Sequence, residues 1–244
     1  MSARLELRSI WAGYGGSDVL RDLNLSVPAG SITCVVGPNG AGKSTILRLV
    51  SGQLKPRLGS VLFDGVEIGG RKPRHILSLG IVQVAQNHTL FPGMTVRENV
   101  ALGAFMVRDK AEVARRLERV SEVFPIVRDR ADDKAGSLSG GQQRQIEFAR
   151  CLMLEPKLVV LDEPSMGLDP KTLRTVLRKV REIWAEGRTV LLVEQNVRAG
   201  LSLATHAVVV ESGHVRLEGT GAELNGNAEI AHLYLGAGTT RKTA

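Results

Sequence analysis

The sequence predicts an α/β fold with a parallel core sheet, an antiparallel β subdomain beside it and an inserted helical subdomain. Three observations carry this prediction. Apolar runs of strand length alternate with longer segments of helical period. A glycine-rich loop joins one such run directly to one such helix. Asp64-Gly65 and Ser212-Gly213 each separate two short runs rich in β-forming residues, a strong two-residue hairpin signal.

Taken in order, residues 5–9 and 23–27 read as edge strands, and residues 31–36 as a buried strand running into the loop at 37–42. Residues 43–50 keep helical spacing, with Gly52 suited to close the helix. Residues 61–63 and 66–68 flank Asp64-Gly65 as a hairpin. From about 95 to 126 the pattern is helical, with Arg and Glu interleaved through AEVARRLERVSEVF until Pro125. This marks a helical subdomain inserted over about residues 87–150. The segment LSGGQQRQIEFARCLMLEP keeps helical spacing up to the break at Pro156, and KLVVLDEP reads as a second buried strand over residues 158–163. Asp169 is placed to cap the next helix with Pro170 at its first position; Leu173, Val176, Leu177, Val180 and Trp184 form one apolar face before Gly187. Residues 189–193 make a third parallel strand, and residues 207–211 and 215–218 a hairpin. Residues 239–244 read as a disordered tail, which leaves residues 1–238 as one domain.

Composition narrows the class. The chain has 244 residues, 43% of them apolar, enough for a full core. No stretch approaches the roughly 18 apolar residues a membrane-spanning helix needs, so a cytoplasmic location is expected. The two cysteines, Cys34 in an apolar run and Cys151 in a helical pattern, suit buried reduced thiols better than a disulfide or a metal site. The formal charge of +7 is spread along the chain, and aromatic residues make up only 4% of it. A solvated basic surface fits that pattern; a base-stacking platform does not, and no nucleic-acid partner is expected.

The segment GPNGAGKST comprises Gly37, Pro38, Asn39, Gly40, Ala41, Gly42, Lys43, Ser44 and Thr45 and matches the P-loop pattern. Backbone N–H groups must converge on phosphate oxygens there, which side chains at the glycine positions would obstruct, while the following helix presents its positive end. Lys43 can then reach the β and γ phosphates of ATP, and the Ser44 hydroxyl can ligate Mg²⁺. A buried strand ending in two carboxylates would deliver Asp162 to the Mg²⁺ shell and Glu163 to the attacking water, which it can orient or deprotonate. In LSGGQ, Ser139 and the glycines Gly140 and Gly141, followed by Gln142, open a helix whose bare N–H groups could receive a second phosphate group.

LSGGQ is also similar to the signature motif of ATP-binding cassette (ABC) proteins, and with the P-loop before it the whole chain resembles a P-loop NTPase of the ABC ATPase kind. The resemblance implies an adenine-stacking role for Tyr14. It implies that Gln86, in VAQNHTLFPGMTVREN, contacts Mg²⁺ or water and links the site to the helical subdomain. Residues 165–169, SMGLD, resemble the loop that crosses to a partner cassette. Gln195 stands where many cassettes have a switch histidine; its amide can donate a hydrogen bond to the γ phosphate or to water but cannot take up a proton. His206 lies well beyond that strand end and reads as a surface or packing residue.

VEQN, EPSMGLDP and the ending HLYLGAG look most like the ATP-binding subunits of branched-chain amino acid transporters, whose near relatives serve urea or short amides. That likeness implies a head-to-tail dimer with a second ABC ATPase subunit, identical or paralogous, each ATP lying between one P-loop and the other LSGGQ. It implies separate membrane permease subunits docking beside the Gln86 segment and the helical insertion, and a place on the inner face of the cell membrane. Two other classes compete. Soluble cassette ATPases acting on nucleic acid or the ribosome share these ATP motifs, but the long coiled coils, zinc insertions or second cassette expected of them do not occur here. A non-hydrolysing regulatory P-loop module would need no water-directing carboxylate, which Glu163 supplies.

Overall fold

A computed structural model describes residues 3–87 and 89–230; the tail at 239–244 and the HLYLGAG ending lie outside the described residues. The chain opens with a long hairpin, β1 (Ala3–Tyr14) and β2 (Ser17–Pro28), joined at Gly15-Gly16. Both turn residues are left-handed, with φ of 56° and 86°, as a two-residue turn matching the twist of its strands requires. The apolar pattern marks only 5–9 and 23–27 of these strands, because Ala12 and Gly13 have too little side chain to show the alternation.

β3 (Ile32–Val36) is buried throughout, and α1 (Lys43–Val50) starts after the glycine loop. β4 (Leu58–Phe63) and β5 (Val66–Glu67) form the expected hairpin, with Asp64 and Gly65 at φ of 47° and 78°. α2 (Pro73–Ser78) and β6 (Ile81–Val84) follow. Neither is evident in the sequence, since a four-residue segment such as Ile81–Val84 is too short to distinguish strand from helix. The helical stretch divides into α3 (Val96–Ala101), α4 (Lys110–Val123) and α5 (Ile126–Asp129). Then come α6 (Gly140–Leu152), β7 (Leu158–Asp162), α7 (Pro170–Ala185), β8 (Thr189–Glu194), α8 (Val197–Leu203), β9 (His206–Glu211), β10 (His214–Gly219) and α9 (Gly221–Asn225). α7 is capped as expected: the Asp169 carboxylate accepts from the Lys171 and Thr172 N–H groups.

Two sheets result. One is antiparallel, in the order β2-β1-β4-β5; the other runs β10-β9-β3-β8-β7-β6, parallel except at β10. Alternate residues of the parallel strands serve opposite faces. Cys34, Leu161, Leu192 and Val209 face the helical layer, where Val100, Phe124, Ile146, Phe148 and Val180 are buried with them. Val35, Val160, Leu191 and Val208 face α1 and the antiparallel sheet. Each fully buried Val, Leu or Ile contributes about 1.5–3 kcal/mol, so this double-sided burial fixes strand register firmly. Among the described residues no helix is long and apolar enough to cross a membrane. Both cysteines are buried and free; burial raises the Cys34 thiol pKa well above its ordinary range and that of Cys151 to about 12.

Phe124, fully buried at the end of α4, meets Phe148 of α6 edge to face at 6.4 Å and thereby joins the inserted helices to the core. Truncating it leaves a cavity. Phe124→Ala is expected to destabilise the protein by about 3–5 kcal/mol, read as a lower urea midpoint; a shift below about 1 kcal/mol would mean that the site collapses and the joint carries little.

Candidate nucleotide site

Because β3, β8, β7 and β6 run parallel and side by side, the loops after them leave from one edge of the sheet. That edge collects Gly37 to Gly42, Gln195, Glu163 and Gln86. Crevices outside the carboxyl ends of such strands are where α/β sheets bind ligands.

The glycine loop is shaped by close approach. A Cβ on Gly37 would lie 2.1 Å from the Val210 carbonyl oxygen, and one on Gly42 would lie 2.4 Å from the Leu20 side chain. Gly42 has φ of 106° and stands at the N-terminus of α1, so only glycine admits this path. Asn39, Gly40 and Ser44 are exposed, whereas Ala41, Gly42, Lys43 and Thr45 are buried. The first turn of α1 carries no acidic residue that would offset its positive end. Lys43 folds back over the loop and donates to the carbonyls of Gly37 (2.7 Å) and Pro38 (3.0 Å). Burial lowers its ammonium pKa, and the charges of Glu163 and Asp162 oppose that shift. The cation is thus held among carbonyl dipoles beside two carboxylates.

Ser44, Gln86 and Asp162, the three residues expected at the metal, line one cleft of about 350 Å³ together with Arg48. Asp162 ends β7 half-buried, and its carboxyl pKa is raised by that burial and by neighbouring Glu163. Glu163 itself lies beyond the strand, which corrects the expectation of a strand through residue 163. Its φ is 44°, a left-handed backbone rare for a residue with a side chain, and its N–H donates to the Val193 carbonyl at 2.9 Å. The Gln86 amide donates to Glu163 Oε2 at 3.1 Å, so the two are in direct contact. Gln195 is exposed and lines a second cleft, of about 280 Å³, with Glu163 and Glu194. Tyr14 closes β1 with its ring half-exposed; Arg48 of α1 donates to its hydroxyl at 3.0 Å and lies 5.5 Å from the ring centre. Tyr14 is therefore tied to the helix that follows the glycine loop.

Ser139 caps α6 through reciprocal bonds with Gln142, and a Cβ on Gly141 would lie 2.3 Å from Thr172. Ser139 and Gly140 are exposed. Among the described residues, they line neither of the two clefts above. What α6 does reach is the Gln86 segment, through side chains that the sequence pattern does not single out. Arg144 donates to the carbonyls of Ala85 and Gln86, both at 2.8 Å, and pairs with Glu147 at 2.9 Å inside the protein. Glu147 accepts the Thr89 N–H at 2.7 Å, and Arg150 donates to the Thr89 carbonyl at 2.9 Å. The one available signal was opposite charges three residues apart on an otherwise apolar helix face. His206 lies at the start of β9, the opposite edge of the sheet, between Thr33 Oγ1 (3.2 Å) and Glu218 Oε1 (2.8 Å).

Comparison with known proteins bears on family and fold. The sequence profile of the family described as ABC transporter matches residues 20–166. The chain is 38% identical, over 91% of its length and 95% of the relative's, to the high-affinity branched-chain amino acid transport ATP-binding protein BraG of Pseudomonas aeruginosa. It is 35% identical, over 92% and 95%, to a probable branched-chain amino acid transport ATP-binding protein, LivF, of Archaeoglobus fulgidus. Its fold superposes on a crystal structure of the ADP conformation of an ATP-binding cassette of an ABC transporter with a TM-score of 0.89, at 28% identity, covering 97% of this chain and all of the other.

Lys43→Ala should weaken ATP binding by roughly 10- to 150-fold, the worth of a hydrogen bond to a charged group, in a direct titration with a fluorescent nucleotide. Equal affinity would remove the lysine from the phosphate site.

Proposed function

The chain is an ATP-hydrolysing member of the ABC transporter family, and on that premise we propose that it energises solute uptake through separate membrane permease subunits. The observation that carries the catalytic part is the convergence of the glycine loop, Asp162, Glu163 and Gln86 on one sheet edge. Phosphates would lie on the N–H groups of residues 37–45, with Lys43 leaving the Gly37 and Pro38 carbonyls for the phosphate oxygens. Ser44, Asp162 and Gln86 supply the oxygen donors that a hard cation takes, so they fit Mg²⁺, and an Asp162 carboxyl raised by burial gains from a cation beside it. When bound, Mg²⁺ would neutralise charge on the phosphates. Glu163 would orient and deprotonate the attacking water, held by the Gln86 amide and by its own N–H to Val193. Gln195, facing Glu163 across the second cleft, would donate a hydrogen bond without titrating.

Ser139, Gly140, Gly141 and Gln142 would complete the nucleotide site of a second cassette. Their exposed helix start, away from this chain's own loop, supports that division of labour. A groove of about 250 Å³ supports the permease. Leu77, Phe91, Leu102 and Phe105 line it, beside the Gln86 segment and the inserted helices, and Phe91 and Phe105 are 54% and 63% exposed. A permease helix seated there would sense the site through Arg144, which grips the Ala85 and Gln86 carbonyls. Docked in this way, the chain would work at the inner face of the membrane. Branched-chain amino acids are the proposed solutes, in keeping with the relatives' names, with related amides or urea as the near alternatives.

Glu163→Gln should retain ATP binding while hydrolysis slows roughly 10²–10⁴-fold; turnover at the original rate would remove its role. Cells lacking the chain should lose high-affinity uptake of labelled leucine, isoleucine and valine, restored by the native gene and not by Glu163→Gln. Unchanged uptake would reject the solute.

A further inference from the structure

Glu194 ends β8 and is wholly buried, next to Val36 in the parallel register and so one residue from the glycine loop. A buried carboxylate is costly unless it is hydrogen-bonded, and each of its oxygens takes a bond from Ser165, with the Asn196 N–H adding to them. Oε1 accepts the Ser165 N–H at 3.0 Å and Oε2 accepts the Ser165 hydroxyl at 2.6 Å. Burial pushes the carboxyl pKa up, against the pull of those bonds. Helix α8 packs closely against the base of the side chain: a Cβ on Gly200 would lie 3.1 Å from Glu194 Cβ and 2.7 Å from Cys34 Sγ.

Ser165 belongs to the turn that begins at Glu163. That turn carries a left-handed Glu163 (φ 44°) and is closed by the Met166 N–H on the Glu163 carbonyl at 3.1 Å. Gln86 reaches both ends of it, Glu163 Oε2 and the Met166 sulfur. Such a backbone state costs about 1–3 kcal/mol and persists only where the surroundings over-determine it. The Val193 carbonyl holds the turn at the Glu163 N–H, and the two-pronged grip on Ser165 holds it from the buried side two residues on.

We infer that Glu194 is a positioning residue: through Ser165 it holds the turn 163–166, and with it the Glu163 carboxylate, in the orientation that hydrolysis requires. The inference rests on the water-directing role proposed for Glu163. Glu194 touches neither nucleotide nor water in this role, and its partner surface is the protein's own loop.

ATP turnover and binding of a fluorescent ATP analogue by the purified chain test it, using Glu194→Ala, Ser165→Ala, the double variant, Ser165→Thr and Glu163→Gln. Each alanine variant should lower kcat roughly ten- to a hundredfold, with KM and nucleotide affinity within about twofold. The double variant should fall no further than Glu194→Ala alone, because that change already removes both prongs and Ser165→Ala only the hydroxyl one. Ser165→Thr, which keeps the hydroxyl, should retain most of the turnover. Additive losses, or an unchanged kcat with only a lower thermal midpoint, would overturn the inference and leave Glu194 a packing residue. If Glu194→Ala does not fold, the Ser165→Ala and Ser165→Thr pair decides by the same kcat criterion. Turnover retained in Glu163→Gln would sink the role of Glu163 itself; turnover lost there but kept in Ser165→Ala would sink the clamp alone.

Discussion

Everything in the site depends on the order in which parallel strands pair. With β3 between β9 and β8, and β7 and β6 continuing outward, four loops far apart in sequence emerge at one edge. Side-chain alternation makes that order hard to alter, since a slip by one residue would send the Cys34, Leu161, Leu192 and Val209 set to the wrong face. The core is thus less a background to the chemistry than the device that sets its distances. No loop here needs to be long, because the sheet does the gathering.

At that edge the electrostatics are balanced closely. Asp162 and Glu163 stand together, burial and mutual repulsion raise the Asp162 pKa, and Lys43, Arg48 and Arg144 act against that rise. Lys43 is itself disfavoured as a cation by burial and supported by the same two carboxylates. Like-charged acids tolerate this proximity only with cations within reach, which is a condition well suited to receiving phosphate and metal together. The left-handed Glu163 adds backbone constraint at the same point. Strain, burial and charge concentrate on a handful of residues while the rest of the sheet is ordinary packing.

Much of this was legible because the relevant signals are local. The glycine loop is one contiguous string, β7 announces its carboxylates by an apolar run, and Asp64-Gly65 and Ser212-Gly213 carry their own turn chemistry. Asp169 likewise declares a cap. The rest depends on partners distant in sequence. Arg144 and Glu147 look like surface charges on a helix until residues 85–89 are laid against them. Glu194 looks like the first polar residue after a strand, yet it is the strand's last buried one, because Ser165 meets it from across the sheet edge. The short β6 lacks the length that periodicity needs, and register shifts around Ile10, Ala12 and Gly13 break the alternation in the outer half of β1. Local pattern reports what a residue prefers; only the tertiary arrangement supplies its partner.

The two sulfurs have a consequence for the cell. Thiolate, rather than thiol, reacts with peroxide or with glutathione disulfide. Cys34 sits in the very strand that delivers the phosphate loop and Cys151 in the helix opened by Ser139, and both are kept protonated by burial. Thiol-directed oxidants therefore find no thiolate in the strand before the phosphate loop or in the helix behind Ser139.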